Sequence, residues 1–356
     1  MVDQESRPSR PTLADVAERA GVSPSTASLA FSGAGPVSEA TKRRVLQAAA
    51  DLDYGGPDPR ARSLRQGRSG IVGAVVAGRI GHSFRDPVMV QTLDGLADEL
   101  GAVGAGLLLL NDAQEGTLQL SNAPMDGVVL IGCSPNLDSS VAVLSRRGMP
   151  IVSIEGLAAL GVPDIAVDNR GGVRQEAQHL ADLGHERVAV VTLNLDPTER
   201  RGPLTPEWEG GATTVPAIER LQGLRDVFPG ASGFVSTGSS LEEGRIAGHA
   251  ILDVPVGERP TAVAAQSDLL AAGVIRAAEE LGIEVPRELS VVGFDGIRVE
   301  GLDYDLTTVW QPSREKGSAA GRAIVAMLDG REPDSEQFAV RFHRGATTAP
   351  VPAPQG

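Results

Sequence analysis

The sequence predicts an α/β chain, with a small three-helix head and a hinge followed by two doubly wound parallel α/β lobes. Three observations carry this prediction. From residue 70 onward, short apolar runs recur with helical stretches between several of them, the alternation of parallel sheets covered on both faces. Residues 12–53 show closely spaced helix start and stop signals instead. Charge also divides the chain: residues 1–68 hold ten Arg/Lys and eight Asp/Glu, net +2, against −16 for the remaining 288. A weakly basic head on a strongly acidic body implies division of labour.

Length and composition bound the rest. A chain of 356 residues suits two or three domains. The longest apolar runs, 107–110 and 128–131, are far short of the roughly 20 residues that cross a bilayer. The first 30 residues are polar and charged, which argues against a secretory signal and for the cytoplasm. The single cysteine, Cys133, cannot form an internal disulfide and reads as an inert small hydrophobe. The net charge of −14 argues on its face against nucleic acid, so only a specific surface of the head would face it.

The head is read element by element. In TLADVAERA (12–20), Thr12 is an N-cap and Asp15, three residues on, fits a capping box. Leu13, Val16, Ala17 and Ala20 fall on one stripe, and Gly21 ends the helix. Ser23-Pro24 is a cap followed by proline at the first helical position. It predicts a second helix over 24–32 with Ala27, Ala30 and Phe31 inward. Ser38-Glu39 opens a third helix to about Asp53, with Val45, Leu46, Ala49 and Leu52 facing the core.

The first two helices, joined by Gly21, Val22 and Ser23, make a helix-turn-helix. In that motif the second helix enters the major groove by its N-terminal residues. Its outward positions here are Pro24, Ser25, Ser28 and Leu29, with Thr26 near the phosphates. The plainer reading is a helical bundle with no nucleic acid partner. The linker tips the balance. Residues 57–68 (PDPRARSLRQGR) place Arg60, Arg62, Arg65 and Arg68 around Leu64. A stretch too short and charged to fold alone can order on a polyanion. A leucine isolated among arginines has the composition of a minor-groove wedge. A solvated interdomain linker is the alternative.

In the body, apolar runs at 71–77, 104–110, 127–131, 150–154, 187–193, 261–265, 289–293 and 306–310 read as strands. Helical patterns lie at 88–100, 170–183, 216–227, 241–252 and 268–281. A break near residue 168 divides the strands into two lobes, and ligands are then expected outside the strand C-terminal ends, in the crevice between them. Residues 196–216, with four Pro and three Gly, read as an irregular surface loop.

Catalytic signatures are scarce, so no catalytic residue, cofactor or metal is assigned. G-x-x-x-x-G-K-[ST] and G-x-S-x-G are absent, and neither Lys42 nor Lys316 follows a glycine. Gly101, Gly104 and Gly106 precede a strand instead of following one. The five histidines lack H-E-x-x-H spacing, and His185, just before a strand, suits a structural turn. What remains is a set of polar residues at strand ends and nearby turns: Glu155, Asp268, Asp295, Gln311 and Arg220. Carboxylates accept pairs of hydroxyls and arginine supplies a planar donor fork, a combination that suits a polyhydroxyl ligand. Helix capping or surface pairing explains each residue taken alone.

Nearly the whole chain resembles the lactose-repressor/galactose-repressor (LacI/GalR) family. The matching stretches are TLADVAERAGVSPSTASLAFSG, VSEATKRRVLQAAADLDY, AVDNRGGVRQEAQHLADLGHERVAVVT, AIERLQGLRDVF, AAQSDLLAAGVIRAAEELGIEVPRELSVVGFDG, LTTVWQP and FHRGATTAP. The resemblance implies periplasmic-binding-protein-like lobes. Its domains would be the DNA-binding head over 11–56, a hinge over 57–69, an effector-binding and dimerisation domain over 70–346, and a loose tail over 347–356. Within the third, the first lobe takes about 70–168 plus 312–330, and the second about 169–310 plus 331–346.

The predicted DNA-binding set is Thr12, Ser23, Pro24, Ser25, Thr26, Ser28 and Leu29 with Arg60, Ala61 and Leu64. In the family the segment matching 57–66 becomes a hinge helix on DNA, where Leu64 would open the central base step and Ala61 would pack against its symmetry mate. The predicted effector set is Phe84, Asp86, Glu155, Arg220, Ser267, Asp268, Asp295 and Gln311. Glu155 stands where the family usually has aspartate, and Ser267-Asp268 where it has Asn-Asp. Leu29 replaces a frequent arginine, implying apolar contact, and Pro24 replaces a hydrogen-bonding residue. Residues 111–126 leave room for little more than a turn of helix where the family places a longer one.

These features imply a transcriptional regulator, most plainly a repressor. Two heads of a homodimer, or of a tetramer, would read a pseudopalindromic operator in the cytoplasm, controlled by a sugar or sugar derivative acting as inducer or corepressor. A solute-binding protein would call for a signal peptide. An enzyme using the cleft acids would leave the helix-turn-helix unexplained.

Overall fold

The computed structural model describes residues 11–33, 35–56, 67–76, 80–111, 120, 122–132, 137–156, 161–196, 198 and 200–351. The hinge residues Arg60, Ala61 and Leu64, the cysteine Cys133 and residues 112–119 of the shortened segment lie outside that set. The chain divides into two compact units, Met1–Ser69 and Gly70–Gly356.

In the smaller unit, α1 (Leu13–Ala20), α2 (Pro24–Ser32) and α3 (Glu39–Asp51) form where their caps predict. The Asp15 N–H donates to Thr12 Oγ1 at 3.3 Å, and the Thr12 N–H donates to Asp15 Oδ2 at 2.7 Å. The capping box therefore satisfies two otherwise orphaned donors. Gly21 closes α1 at φ 64°, a left-handed turn that glycine adopts without steric cost. The core is Val16, Ala17, Ala20, Ala27, Ala30, Val45, Ala48 and Ala49, with Leu13, Phe31 and Leu52 packed against it. Leu46 is a correction: it is 43% exposed, and Ala48 takes the inward position. Helical geometry explains this, since 45, 48 and 49 share a face while 46 is turned about 100° from 45.

The larger unit carries the strands β1 (Ile71–Val76), β2 (Gly106–Asn111), β3 (Gly127–Ile131), β4 (Ile151–Ile154), β5 (Asp164–Val167), β6 (Val188–Thr192), β7 (Gly202–Pro203), β8 (Ser232–Val235), β9 (Ala262–Ala265), β10 (Ser290–Asp295), β11 (Thr307–Trp310), β12 (Glu336–Phe338) and β13 (Arg341–His343). Its helices are α4 (Ile80–Ser83), α5 (Pro87–Ala102), α6 (Leu137–Arg146), α7 (Asn169–Asp182), α8 (Pro206–Gly210), α9 (Val215–Arg225), α10 (Leu241–Leu252), α11 (Asp268–Glu280) and α12 (Ser313–Leu328). The first sheet runs β12-β5-β4-β3-β1-β2, parallel throughout. The second runs β13-β11-β10-β9-β6-β8-β7, with its five inner strands parallel and both edge strands antiparallel. Each core order is doubly wound, with its switch point beside the first strand of the lobe.

Alternation along the strands fills both faces. In β1, Val72, Ala74 and Val76 pack with Leu93 and Leu96 of α5 and with Ala320 and Ile324 of α12. Val75 faces the other way, toward Val141 and Leu144 of α6. In the second lobe, α10 and α11 cover one face of the sheet. The other face packs on Val173 and Ala177 of α7 and on Leu221 and Leu224 of α9.

Three predicted features change. The stretch 331–346 does not belong wholly to the second lobe. Glu336, Gln337 and Phe338 pair with Ile165, Ala166 and Val167 in the first sheet, and only β13 joins the second. A three-residue edge strand gives no apolar run to read. The stretch 196–216 is not all irregular, since β7 and α8 lie in it and Trp208 Nε1 donates to Asp196 Oδ2 at 3.0 Å. The tail is not loose over 347–351. Thr347 is fully buried, its hydroxyl donating to Val291 O at 2.7 Å, and the Val351 N–H donates to Leu183 O at 3.0 Å. His185 ties this end down: Nδ1 lies 2.9 Å from Thr261 Oγ1, and Nε2 lies 3.0 Å from both Ser290 Oγ and Ala349 O. Burial pushes its pKa down, which favours the neutral ring of a structural turn.

Helices α10 and α11 touch backbone to backbone at Gly273, where a Cβ would run into Leu241 O and Arg245 N. Gly273→Val is therefore expected to destabilise the larger unit by roughly 1–3 kcal/mol through overpacking. Calorimetry should show its melting transition lowered and that of the head unmoved.

Candidate functional site

Two surfaces concentrate the predicted residues, one on each unit. On the head, Ser23 caps α2: its Oγ accepts the Thr26 N–H at 3.2 Å and lies 2.8 Å from both Ser25 Oγ and Thr26 Oγ1. Pro24 and Ser25 are exposed, Thr26 and Ser28 half-buried. Leu29 is 37% exposed, so the face that α2 offers is small, hydroxylated and apolar at one end. Thr12 is held in the capping box at the start of α1. On α3, Arg43 and Arg44 are exposed.

On the body, the cluster forms where the chain crosses between sheets and where strands of both sheets end. Glu155 follows β4 with φ 58°, and Asp295 ends β10 with φ 131°. Such conformations are costly for residues with side chains and persist where the surroundings over-determine them, often at functional sites. Asn169 opens α7 just after the crossing from β5, Gln311 follows β11, and Lys316 lies in the first turn of α12.

These groups close a ring. Arg220, on α9, donates through Nε to Asn169 Oδ1 at 2.8 Å. Asn169 Nδ2 donates to Glu155 Oε1 at 3.1 Å. Lys316 Nζ donates to Glu155 Oε2 at 2.9 Å and to Gln311 Oε1 at 2.6 Å. Gln311 Nε2 donates to Asp295 Oδ1 at 2.6 Å, which in turn lies 3.8 Å from Arg220 Nη1. Arg220 also donates to Gln266 O at 2.5 Å and lies 3.7 Å above the Phe294 ring. Its only 3% exposure makes its pairing costly to break.

Asp268 lies beside the ring. Ser267 caps α11, accepting the Leu270 N–H at 3.2 Å. Asp268 is fully buried; Oδ1 accepts from Thr308 Oγ1 at 2.5 Å and Oδ2 from the Ile297 N–H at 2.8 Å. Burial pushes its pKa up to about 6, against these hydrogen bonds and Arg220. Burial likewise drives Asp295 well above the carboxylate range, with Arg220 opposing and Asp268 adding to it. Glu155 goes the other way. Burial raises it, but Lys316 and Arg220, with the bonds from Lys316 and Asn169, outweigh burial and hold it below the usual range. Two carboxylates raised by burial thus lie beside one that its cationic partners hold down.

The predicted effector residues do not all meet. Glu155, Arg220, Asp295 and Gln311 share the ring, and Asp268 and Ser267 adjoin it. Asp86 caps α5, accepting the Val88 N–H at 2.9 Å; burial raises it, Arg220 and Lys316 oppose, and its charge adds to the rise of Asp295, so it stands within electrostatic reach of the ring. Phe84 is 61% exposed and has no place in the ring.

Three residues of the cluster escaped the sequence reading. Asn169 stands one position beyond a strand end, inside the stretch AVDNRGG. Lys316 lies one helical turn past Gln311 in a run of small residues that reads as packing surface. Glu176 of α7 is 1% exposed, its Oε2 has no hydrogen-bond partner, and burial holds its carboxyl well above the usual range. It looks like an ordinary charge on a helix until the sheet is in place. Among the described residues no group of three or more His, Cys, Asp or Glu is arranged to hold a metal ion, and no helix is long and apolar enough to cross a membrane.

Comparison with known proteins matches three regions to family models. Residues 12–56 match bacterial regulatory proteins of the lacI family, 69–202 the periplasmic binding proteins and sugar binding domain of the LacI family, and 177–348 a periplasmic binding protein-like domain. The HTH-type transcriptional regulator IpsA of Corynebacterium glutamicum is 32% identical over 353 residues, covering 96% of this chain and 98% of that protein. A solved LacI-family transcriptional regulator from the same species is 27% identical with a TM-score of 0.71, covering 95% of this chain and 98% of the other. A complex of the transcriptional regulator CelR with cellobiose is 27% identical with a TM-score of 0.65, covering 95% and 100%. The helix-turn-helix head and the two lobes of doubly wound sheet are thus matched, over nearly their full length, by relatives named as transcriptional regulators. The chain belongs to the LacI family of DNA-binding transcriptional regulators.

Proposed function

We propose that this protein is a cytoplasmic, nucleoid-associated repressor whose affinity for a pseudopalindromic operator is set by a small polyhydroxyl effector, a sugar or sugar derivative, bound between the lobes. The observation that carries the effector reading is the buried ring at the crossovers. It alternates donors and acceptors, and it draws on both lobes, Glu155 and Lys316 from one and Arg220, Asp295 and Gln311 from the other. Hydroxyl groups, which donate and accept, suit such a lining better than a purely cationic or anionic ligand. The cellobiose complex of the relative CelR fits this choice.

On the head, the proposed DNA contacts are Thr12, Ser23, Pro24, Ser25, Thr26, Ser28 and Leu29. Arg60, Ala61 and Leu64 of the hinge are carried by the family resemblance alone. One head offers few base contacts, so two in a symmetric homodimer would read two half-sites. The effector acts only through its differential affinity for the two lobe arrangements.

The test pairs two measurements on the full chain. A thermal-shift screen of sugars finds the ligand that stabilises the protein by mass action. A gel-shift titration with genomic fragments at low salt, with and without that ligand, should then show a fragment whose affinity changes at least about tenfold, as coupling of 1–3 kcal/mol allows. Fragments bound equally well with and without every stabilising ligand would refute the gating.

A further inference from the structure

The least expected member of the ring is Lys316. It is only 1% exposed, and its ammonium is held by Glu155 of the first lobe and by Gln311, which in turn holds Asp295 of the second. A buried ammonium is costly unless it is paired and hydrogen-bonded. Here both conditions are met by Glu155 and Gln311. Among the described residues of the cluster, Arg220 would without Lys316 be the one cation beside Glu155, Glu219, Asp268 and Asp295. Glu219 already accepts from Asn169 Nδ2 at 3.3 Å, and burial raises its pKa with Glu155 contributing. A cleft so lined would draw in any amine of suitable size.

We propose that Lys316 is the specificity-determining residue of this cleft: its own ammonium fills the cation position between Glu155 and Gln311, so the protein takes an uncharged polyhydroxyl effector and rejects amines. The proposal rests on the cleft being the effector site, as argued above. It also explains why Lys316 sits in the first turn of α12, immediately after the crossing from β11. There the side chain joins Glu155 of the first lobe to Gln311 at the end of a strand of the second, while α12 itself packs on the first.

Chemical rescue tests it. Lys316→Ala removes three methylenes and the ammonium, the atoms of n-propylammonium. Added to the full-length variant at tens of millimolar, n-propylammonium chloride is expected to raise the melting temperature by about 2–4 °C. It should leave the wild type unmoved, and 1-propanol should do little for either. Equal shifts for wild type and variant, or equal rescue by the alcohol, would overturn the assignment.

Should Lys316→Ala fail to fold, Lys316→Met keeps the volume. That variant is expected to melt several degrees lower, and adding Glu155→Gln should recover most of the loss because no uncompensated carboxylate remains. No recovery in the double variant would equally defeat the idea. Operator binding, scored separately by gel shift, distinguishes failure of this specificity from failure of the regulator reading: the first leaves effector-dependent operator binding in place and the second does not.

Discussion

Arg220→Met is expected to destabilise the larger unit by about 3–5 kcal/mol, the typical cost of removing one partner from a buried ion pair, and to abolish the effector response. The guanidinium supports the site through four partners at once. It donates to Asn169 and to the Gln266 carbonyl, faces Asp295 at 3.8 Å and stacks on Phe294. Methionine replaces the length and the apolar contact but none of the donors. Asp268, Asp295 and Glu176, all raised by burial and all opposed by Arg220, would then lose the nearby positive charge that favours their ionised forms. They would be driven further toward the protonated state, and the ring would lack the link that joins Asn169 to Asp295.

Lysine is not a conservative rescue, because a point charge cannot reach two acceptors in a planar fork while lying flat on a ring. Thermal melting reads the first consequence, and effector-dependent release from an operator fragment reads the second. A methionine variant that melts as the wild type does and still responds to effector would show that the ring is incidental to the site.

What could be read in advance follows from the range of the forces involved. The head was legible almost to the residue, because caps, a proline at the first helical position and glycine stops act over three or four positions. Leu46 was misplaced because helical phase, set by which neighbouring helix it meets, is a tertiary property. Eight strands were legible as apolar runs, but the four-residue inner strands β5 and β8 were not, because DIAV and SGFV are too short and too polar to stand out. The edge strands β7, β12 and β13, of two or three residues each, were not, since they depend on a partner distant in sequence. The ends of strands pointed to Glu155, Asp268, Asp295 and Gln311, because doubly wound sheets bring those ends to one crevice. Nothing local could announce Lys316 or Glu176. Both lie within helices, and their chemistry appears only when a helix from one part of the chain is laid against a carboxylate or an arginine from another.

The head poses the sharper experiment, because it is small and its core is built mostly of alanine. Ala27 is completely buried in a core shared with Ala17, Ala20, Ala30, Ala48 and Ala49. Side chains this short let three helices approach closely, and they leave no slack for three more carbon atoms. Ala27→Leu should cost about 1–3 kcal/mol by overpacking. A unit of this size buries only about 60% of the surface its unfolded chain exposes, so that cost is a large share of the stability available.

The expected result is loss of the head's melting transition and a fall of more than about tenfold in operator affinity, a factor that 1.4 kcal/mol supplies. Effector-induced stabilisation of residues 70–356 should stay at the wild-type value, since those residues form their own compact unit with their own core. Operator affinity equal to wild type in a protein whose head transition has vanished would mean that α2 does not read the duplex, and the DNA surface would have to be sought elsewhere on the molecule.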